Sequence, residues 1–248
     1  GSRMDVLSYR PAPIQISWLG YPGTTGASSL DYIIGDPVVT PLEAQPHYSE
    51  CIAQMPCCYQ PNDSTRARPA AVSRQQCGLP EGATFVFASF NMSYKIVPEV
   101  FDAWCYILQA TPDSVLWLLV QEEPARQRMR EVACRHGLDP DRLIFAPFLS
   151  ADMHRARLPL ADLCLDTFPC GGHTTASDAL WAGVPVLALI GESFASRVAA
   201  SLLTTLGLQD LVCRDIDQYM QSAIGWAQDR GAFQGLKARL ELGRTQSP

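Results

Sequence analysis

From Thr84 onward the chain alternates short apolar runs with helix-like segments at nearly even spacing, and few folds accept that rhythm. Thr84-Phe-Val-Phe-Ala88 reads as a strand, Pro98 to Ala110 as a helix, Val115 to Val120 as a strand, and Pro124 to Gly137 as a helix closed by glycine. Leu143-Ile-Phe145, Ala161 to Leu165 and Val186 to Leu189 continue the strand series, with helices near 152–158, 174–182 and 194–206. Strands apolar on both faces belong in a parallel sheet covered on both sides. The expected fold is therefore α/β, a Rossmann-like doubly wound parallel sheet whose ligands bind at the carboxyl ends of the strands.

The first part of the chain has another texture. Ile14 to Leu19, Tyr32-Ile-Ile34 and Ile52 to Met55 are β-like runs separated by loops rich in Pro, Gly, Thr and Ser. Residues 57 to 81 are polar and proline-bearing, as in a linker, so the expected division is 1–77 and 78–248.

The rule about strand ends selects three loops: Phe90 to Lys95, Ala146 to His154, and the turn Cys170-Gly-Gly-His-Thr-Thr175. In the last, Gly171 and Gly172 are read as allowing a tight turn, and Thr174 or Thr175 as capping the following helix. Backbone N–H groups and the positive helix end then favour an anion such as a pyrophosphate. His173 adds a titratable contact there, because a plain turn has no need of an imidazole. Lys95 is placed either to neutralise a phosphate or as a solvated surface lysine. For Asp178, a capping box with Thr175 competes with a contact to a ribose hydroxyl. His154 alone is a weak signal, since histidines near helix starts are commonly surface or capping residues.

Composition narrows the classes. With 248 residues, 47% hydrophobic and 18% charged, the chain can build a substantial core. A net charge of −6 with no Lys/Arg run lacks the footprint of a nucleic-acid binder. No apolar stretch approaches the roughly 18 residues of a membrane span. The nine cysteines are scattered, and Cys105, Cys134, Cys164 and Cys213 sit in apolar runs where a free thiol behaves as a small hydrophobe. Cys57-Cys58 lacks the spacing of a zinc site, so no metal is expected. With no signal peptide, a reducing cytoplasm is the expected setting.

Arg10-Pro-Ala-Pro-Ile-Gln15, Trp18-Leu-Gly-Tyr-Pro-Gly-Thr-Thr-Gly26, Asp31-Tyr-Ile-Ile34, Tyr94-Lys-Ile96, Asp113 to Leu119, Gly172-His-Thr-Thr175 and Gly191-Glu-Ser-Phe-Ala-Ser-Arg197 carry a resemblance. Together, in this order, they resemble the protein O-linked N-acetylglucosaminyltransferase family, in particular its bacterial members with tetratricopeptide repeats. The resemblance implies an inverting, metal-independent glycosyltransferase of the GT-B type. A fragment of the amino-terminal lobe would precede the carboxyl-terminal lobe that holds the nucleotide sugar, which is a substrate rather than a cofactor.

Carried over, it implies that Lys95, Thr174 and Thr175 hold the diphosphate, that Asp178 meets the ribose, and that His154 stacks near the base. Arg157 and the backbone at Leu149 would read the base edge. His173 would lie by the phosphates and sugar and, with Lys95, stabilise the leaving group. Cys170 would sit beside the N-acetyl group, and Leu19, Gly20 and Pro22 would reach the sugar from the other lobe. Met92 replaces a frequent glutamine and Ala151 a frequent lysine, each removing a polar contact to the donor. A related plant branch uses GDP-fucose and lacks the histidine of His-Thr-Thr, so His173 favours UDP-N-acetylglucosamine.

No repeat of about 34 residues is present. The resemblance begins after the family's proposed catalytic-base histidine and stops before its final helix, so this chain alone is expected to bind nucleotide with little or no activity. The expected partners are UDP or UDP-N-acetylglucosamine and, in a full-length enzyme, a protein acceptor. Self-association through an incomplete amino-terminal sheet is a further expectation, with Trp18 and Ile33 packing on the other lobe, swapping between chains or being disordered. Two alternatives stay open: another nucleotide sugar or a non-protein acceptor, and a non-catalytic nucleotide-binding module.

Overall fold

Two parallel sheets organise the computed structural model, which describes residues 3–63, 65, 71–81 and 85–246. After a short helix α1 (Met4–Ser8), strands β1 (Ile16–Ser17), β2 (Tyr32–Gly35) and β3 (Cys51–Gln54) pair in that order. The run expected over Ile14 to Leu19 contributes only two residues to the ladder. Ile14, Ile16, Trp18 and Leu19 are all about half exposed on it.

The larger sheet is built from β4 (Phe85–Ser89), α2 (Pro98–Ala110), β5 (Ser114–Leu118), α3 (Glu123–Arg135), β6 (Leu143–Phe145), α4 (Ala151–Arg157) and β7 (Leu163–Leu165). It continues through α5 (Thr174–Trp181), β8 (Val186–Leu189), α6 (Val198–Thr205), β9 (Val212–Cys213), α7 (Ile216–Gln228) and α8 (Arg230–Gln246). Its strand order is β6-β5-β4-β7-β8-β9, and every pairing is parallel. The order reverses direction between β4 and β7, which is where a doubly wound sheet opens a crevice for a ligand.

The central strands are closed on both faces: all five residues of β4 and all five of β5 are buried. Helix α2 starts where Pro98 fixes its first turn, and it buries Val100, Phe101, Trp104, Ile107 and Leu108 on one face. At the end of α3, Gly137 takes φ 73°, and Leu138 N–H donates to the Ala133 carbonyl, so the chain turns into β6. Cys105, Cys164 and Cys213 are core residues as expected, but Cys134 is exposed on α3. Strand β9 and helices α7 and α8 were outside the expected series.

The smaller sheet rests on the larger unit. Ile33, Val39 and Tyr59 form a buried cluster with Phe194 and Val198. The Ser201 hydroxyl donates to Asp36 Oδ2 at 2.6 Å, and Arg197 Nη1 donates to the Val38 carbonyl at 3.0 Å. Ile33 therefore packs on the larger unit, and the half-exposed Trp18 donates its indole N–H to the Tyr59 carbonyl. Among the described residues, the outer edge of β1 has no neighbouring strand. The polar stretch expected over 57–81 lies partly outside the described residues, and its described part includes the buried Tyr59.

Candidate functional site

Because β4, β6 and β7 run parallel, the loops after them open on one edge of the sheet, and the carboxylate at the end of β7 organises the loop that follows it. Asp166 is 6% exposed, and its Oδ1 accepts from Gly172 N–H at 2.6 Å, Thr167 N–H at 2.9 Å and Asn91 Nδ2 at 2.9 Å. Asn91 Nδ2 also donates to Thr167 Oγ1, while Asn91 Oδ1 accepts from the Thr175 hydroxyl at 2.7 Å. Burial pushes the Asp166 carboxyl up to about 6, against the pull of these donors and of the Lys95 charge.

This arrangement corrects the reasons expected for the Gly-Gly-His-Thr-Thr turn. Neither Gly171 nor Gly172 is in the left-handed region; what they provide is room. A Cβ on Gly171 would lie 2.7 Å from Asp166 Oδ2, and one on Gly172 would lie 2.5 Å from Thr175 Oγ1. Nor does a threonine cap the helix: His173 is the N-cap residue, no side chain caps α5, and Thr175 turns to Asn91 instead. The capping box of Thr175 with Asp178 is thereby overturned, since both residues lie within the helix. The glycine amides are already bonded, Gly171 N–H to the Ala195 carbonyl and Gly172 N–H to Asp166. The donors facing outward are therefore the first-turn amides of α5, which no helix can satisfy internally.

Lys95 closes the other side of the turn. It ends a 3-10 turn over Ser93–Lys95, and its Nζ donates to the Gly171 carbonyl at 2.7 Å. Its charge reaches both Asp166 and His173. Burial, reinforced by Lys95, holds the His173 imidazole below the usual histidine range, so at neutral pH this contact is an uncharged ring. His173 Nε2 lies 3.4 Å from the Ala195 carbonyl. Cys170 is half-buried, and its carbonyl accepts from Thr167 Oγ1.

His173, Thr174, Ser177 and Asp178 form one wall of a cleft of about 390 Å³, whose opposite wall is made by Leu19 and the 59–63 segment. A narrower crevice beside it brings Leu19 and Pro22 against His173 and Phe194. Leu19 holds φ 62°, and Gly20 beside it is exposed, with nothing within 4 Å of where a Cβ would stand. The two sheets thus meet at the place where the expected sugar contacts from both sides converge.

The loop after β6 is built around Arg157. Its side chain is essentially sealed, with the residue 1% exposed and the guanidinium over the rings of Phe90 and Trp117 at 4.9 and 5.7 Å. It donates to the Pro147 carbonyl at 2.6 Å and to His154 Nδ1 at 2.8 Å. Arg157 is therefore held between His154 and the carbonyl of Pro147, which lies two residues from the half-buried Leu149, with its side chain closed to solvent. Burial, then the Arg157 charge, pushes His154 down to about 4, with Asp178 near enough for its charge to oppose that shift. His154 is a neutral aromatic ring, 5.2 Å edge-to-face from Phe90.

Asn91, Asp166 and Thr167 were missed by sequence reasoning, although Asn91 lies within the Phe90–Lys95 loop and Asp166 and Thr167 shortly precede the 170–175 turn. An Asn after a strand and an Asp-Thr before a turn read as ordinary loop chemistry. Among the described residues, no group of three or more His, Cys, Asp or Glu side chains could hold a metal ion. No helix among them is long and apolar enough to cross a membrane.

Set beside known proteins, the chain matches the model of glycosyl transferase family 41 over residues 1–71 and 61–248. It is 39% identical over 255 residues to the probable UDP-N-acetylglucosamine–peptide N-acetylglucosaminyltransferase SEC of Arabidopsis thaliana, with all of this chain matching 26% of that protein. A UDP-N-acetylglucosamine–peptide N-acetylglucosaminyltransferase of Caenorhabditis elegans is 28% identical over 359 residues, again with all of this chain and 31% of that one. In three dimensions the chain is similar to the K341M mutant of a Thermobaculum terrenum O-GlcNAc transferase, with a TM-score of 0.87 and 32% identity. That match covers 98% of this chain and 46% of the other. Anabaena Alr3699/HepE, solved in complex with UDP and glucose, shares the fold at 16% identity and a TM-score of 0.62, over 88% of this chain and 59% of that one. The chain spans about a quarter to a third of the length of these sequence relatives.

Proposed function

The chain is a member of glycosyl transferase family 41, and on that footing we propose that it is the donor-binding part of an inverting GT-B enzyme transferring N-acetylglucosamine from UDP-N-acetylglucosamine to protein Ser/Thr hydroxyls. The observation that carries the reading is the cleft between Leu19 and the His173–Asp178 wall, with the helix-start amides of α5 beside it and Lys95 bonded to the turn that precedes them. The diphosphate takes the Thr174 and Thr175 amides, and Lys95 Nζ moves from the Gly171 carbonyl to a phosphate oxygen. Asp178 meets the ribose, His154 stacks on the base, and the backbone at Leu149 reads the base edge, held there by Arg157. The sugar lies against His173 and Cys170, under Leu19, Gly20 and Pro22.

In this reading the chain supplies leaving-group stabilisation. As the glycosidic bond breaks, negative charge grows on the diphosphate, where a cation and fixed N–H dipoles are already in place. Their charge does the neutralising assigned elsewhere to metal ions, so UDP affinity should be the same with EDTA as with Mg²⁺. A cytoplasmic setting belongs to the proposal and is supported by nine free cysteines. The acceptor and its deprotonation belong to the full-length enzyme.

A second reading keeps the chemistry but changes the donor. It is favoured by Met92, half exposed at the start of the Lys95 turn with no hydrogen to offer a phosphate, and by Ala151 at the start of α4. Calorimetric titration with UDP, UDP-N-acetylglucosamine and GDP separates the two. Binding of both uridine ligands with GDP at least about tenfold weaker supports the first reading; tighter GDP binding overturns it.

A further inference from the structure

The side chains described around the anion turn do not all point at a ligand; several point at one another beneath it. Asn91 comes from the loop after β4, Asp166 and Thr167 from the end of β7, and Thr175 from the first turn of α5. Five hydrogen bonds of 2.6–2.9 Å join them to one another and to Gly172 N–H. Asn91, Asp166 and Thr167 are each at most 6% exposed. The layer is braced from below, since the buried Tyr219 hydroxyl donates to the Asp166 carbonyl at 2.9 Å and accepts from Trp104 Nε1 at 3.0 Å.

We propose that Asn91 and Asp166 are positioning residues for the donor, locking the 170–176 turn onto the sheet and, through Thr175, leaving its contacts with the diphosphate to backbone amides. The inference rests on the proposed nucleotide site and deepens it. Thr175 has one hydroxyl hydrogen, and Asn91 Oδ1 receives it, so that hydrogen is not available to a phosphate. Asn91 can receive it because its amide nitrogen is turned toward Asp166 and Thr167. Asp166 in turn fixes Gly172, and only glycine fits so close above it. Removing any member leaves a buried polar partner unsatisfied, and the turn should relax to relieve it.

The test is a double-mutant cycle on Asn91 and Thr175, read by UDP affinity and by amide hydrogen exchange of residues 172–176 in the free protein. Asn91→Ala and Thr175→Val should each weaken UDP about tenfold and speed that exchange. The double variant should be scarcely weaker than either single, because both break one linkage. Thr175→Ser, which keeps the hydroxyl, should stay within about twofold of the parent. Thr111→Val, which removes a buried hydroxyl bonded to Ser114 ahead of β5, should lose stability but not affinity. Multiplicative losses would mean that Thr175 meets the phosphate itself, and parent-like affinity in Asn91→Ala would mean that the layer positions nothing; either overturns the proposal. A parent that fails to bind UDP defeats the nucleotide reading instead, and the exchange comparison then decides the locking role alone.

Discussion

Glu50 and Asp166 are both buried carboxylates under loops of small polar residues, one in each part of the molecule, and their environments drive them in opposite directions. Burial alone would raise both. Around Glu50 the donors are spread over the two oxygens: Thr25 N–H and hydroxyl on Oε1, and Thr24 and Ser49 hydroxyls on Oε2. These bonds outweigh burial and bring Glu50 down to about 2. Around Asp166 three donors converge on Oδ1, while Oδ2 lies against Gly171, and burial wins. The first carboxylate ties down a loop. The second makes a seat for a turn whose outer face is proposed to meet an anion.

The contrast breaks most visibly at glycine. Gly172→Ala should disturb the turn enough to weaken UDP by about a hundredfold and to cost about 2 kcal/mol of stability by overpacking, checked by calorimetry and denaturant unfolding. In the other region, Gly20→Ala adds a methyl group to open space and should leave unfolding unchanged within about 0.5 kcal/mol.

Amide replacements sharpen it next. Glu50→Gln, losing an ionised acceptor of four donors, should cost about 2 kcal/mol at pH 7. Asp166→Asn removes a charge that burial already penalises and should cost under about 1 kcal/mol there. A larger loss for Asp166→Asn than for Glu50→Gln would invert the comparison.

The pH dependence carries the clearest signs. Glu50 is lowered on folding, so its contribution is present above the unfolded carboxylate range and is lost as pH falls through about 2. Asp166 is raised, so the folded state holds its proton longer, and the parent loses stability as pH rises from about 4 to 6. His154, lowered to about 4, adds stability as pH rises over 4 to 6.5 and partly masks that loss in the parent. Difference profiles remove the mask. Relative to the parent, Glu50→Gln should worsen between pH 2 and 4.5, and Asp166→Asn should improve between pH 4 and 6, each by about 1–2 kcal/mol in urea titrations.

Much of this was legible because apolar strands and proline-started helices declare themselves locally. Helix α2 occupies the residues read for it, and β6 and β8 do as well. The two-residue β9 carries too little pattern to be read, and α7 and α8 fell beyond the expected alternation. From its composition the turn at 170–175 reads as an anion site, which is the role proposed for it, yet its construction was not legible. Glycine looks the same whether it supplies a left-handed turn or room above a carboxylate, and a threonine at a helix start reads as a cap unless Asn91 is known to lie beside it. Burial of Arg157 was hidden for a related reason: its partners Phe90, Trp117 and Pro147 are brought to it only by the sheet.

Lys95 and the α5 amides are the proposed diphosphate half of a donor site. Titrating UDP into the parent and into Lys95→Ala under identical conditions tests it most directly. One site per chain in the parent, weakened about tenfold or more in the variant, is the predicted result. Equal affinity in the two proteins, or no UDP binding by the parent, would contradict it.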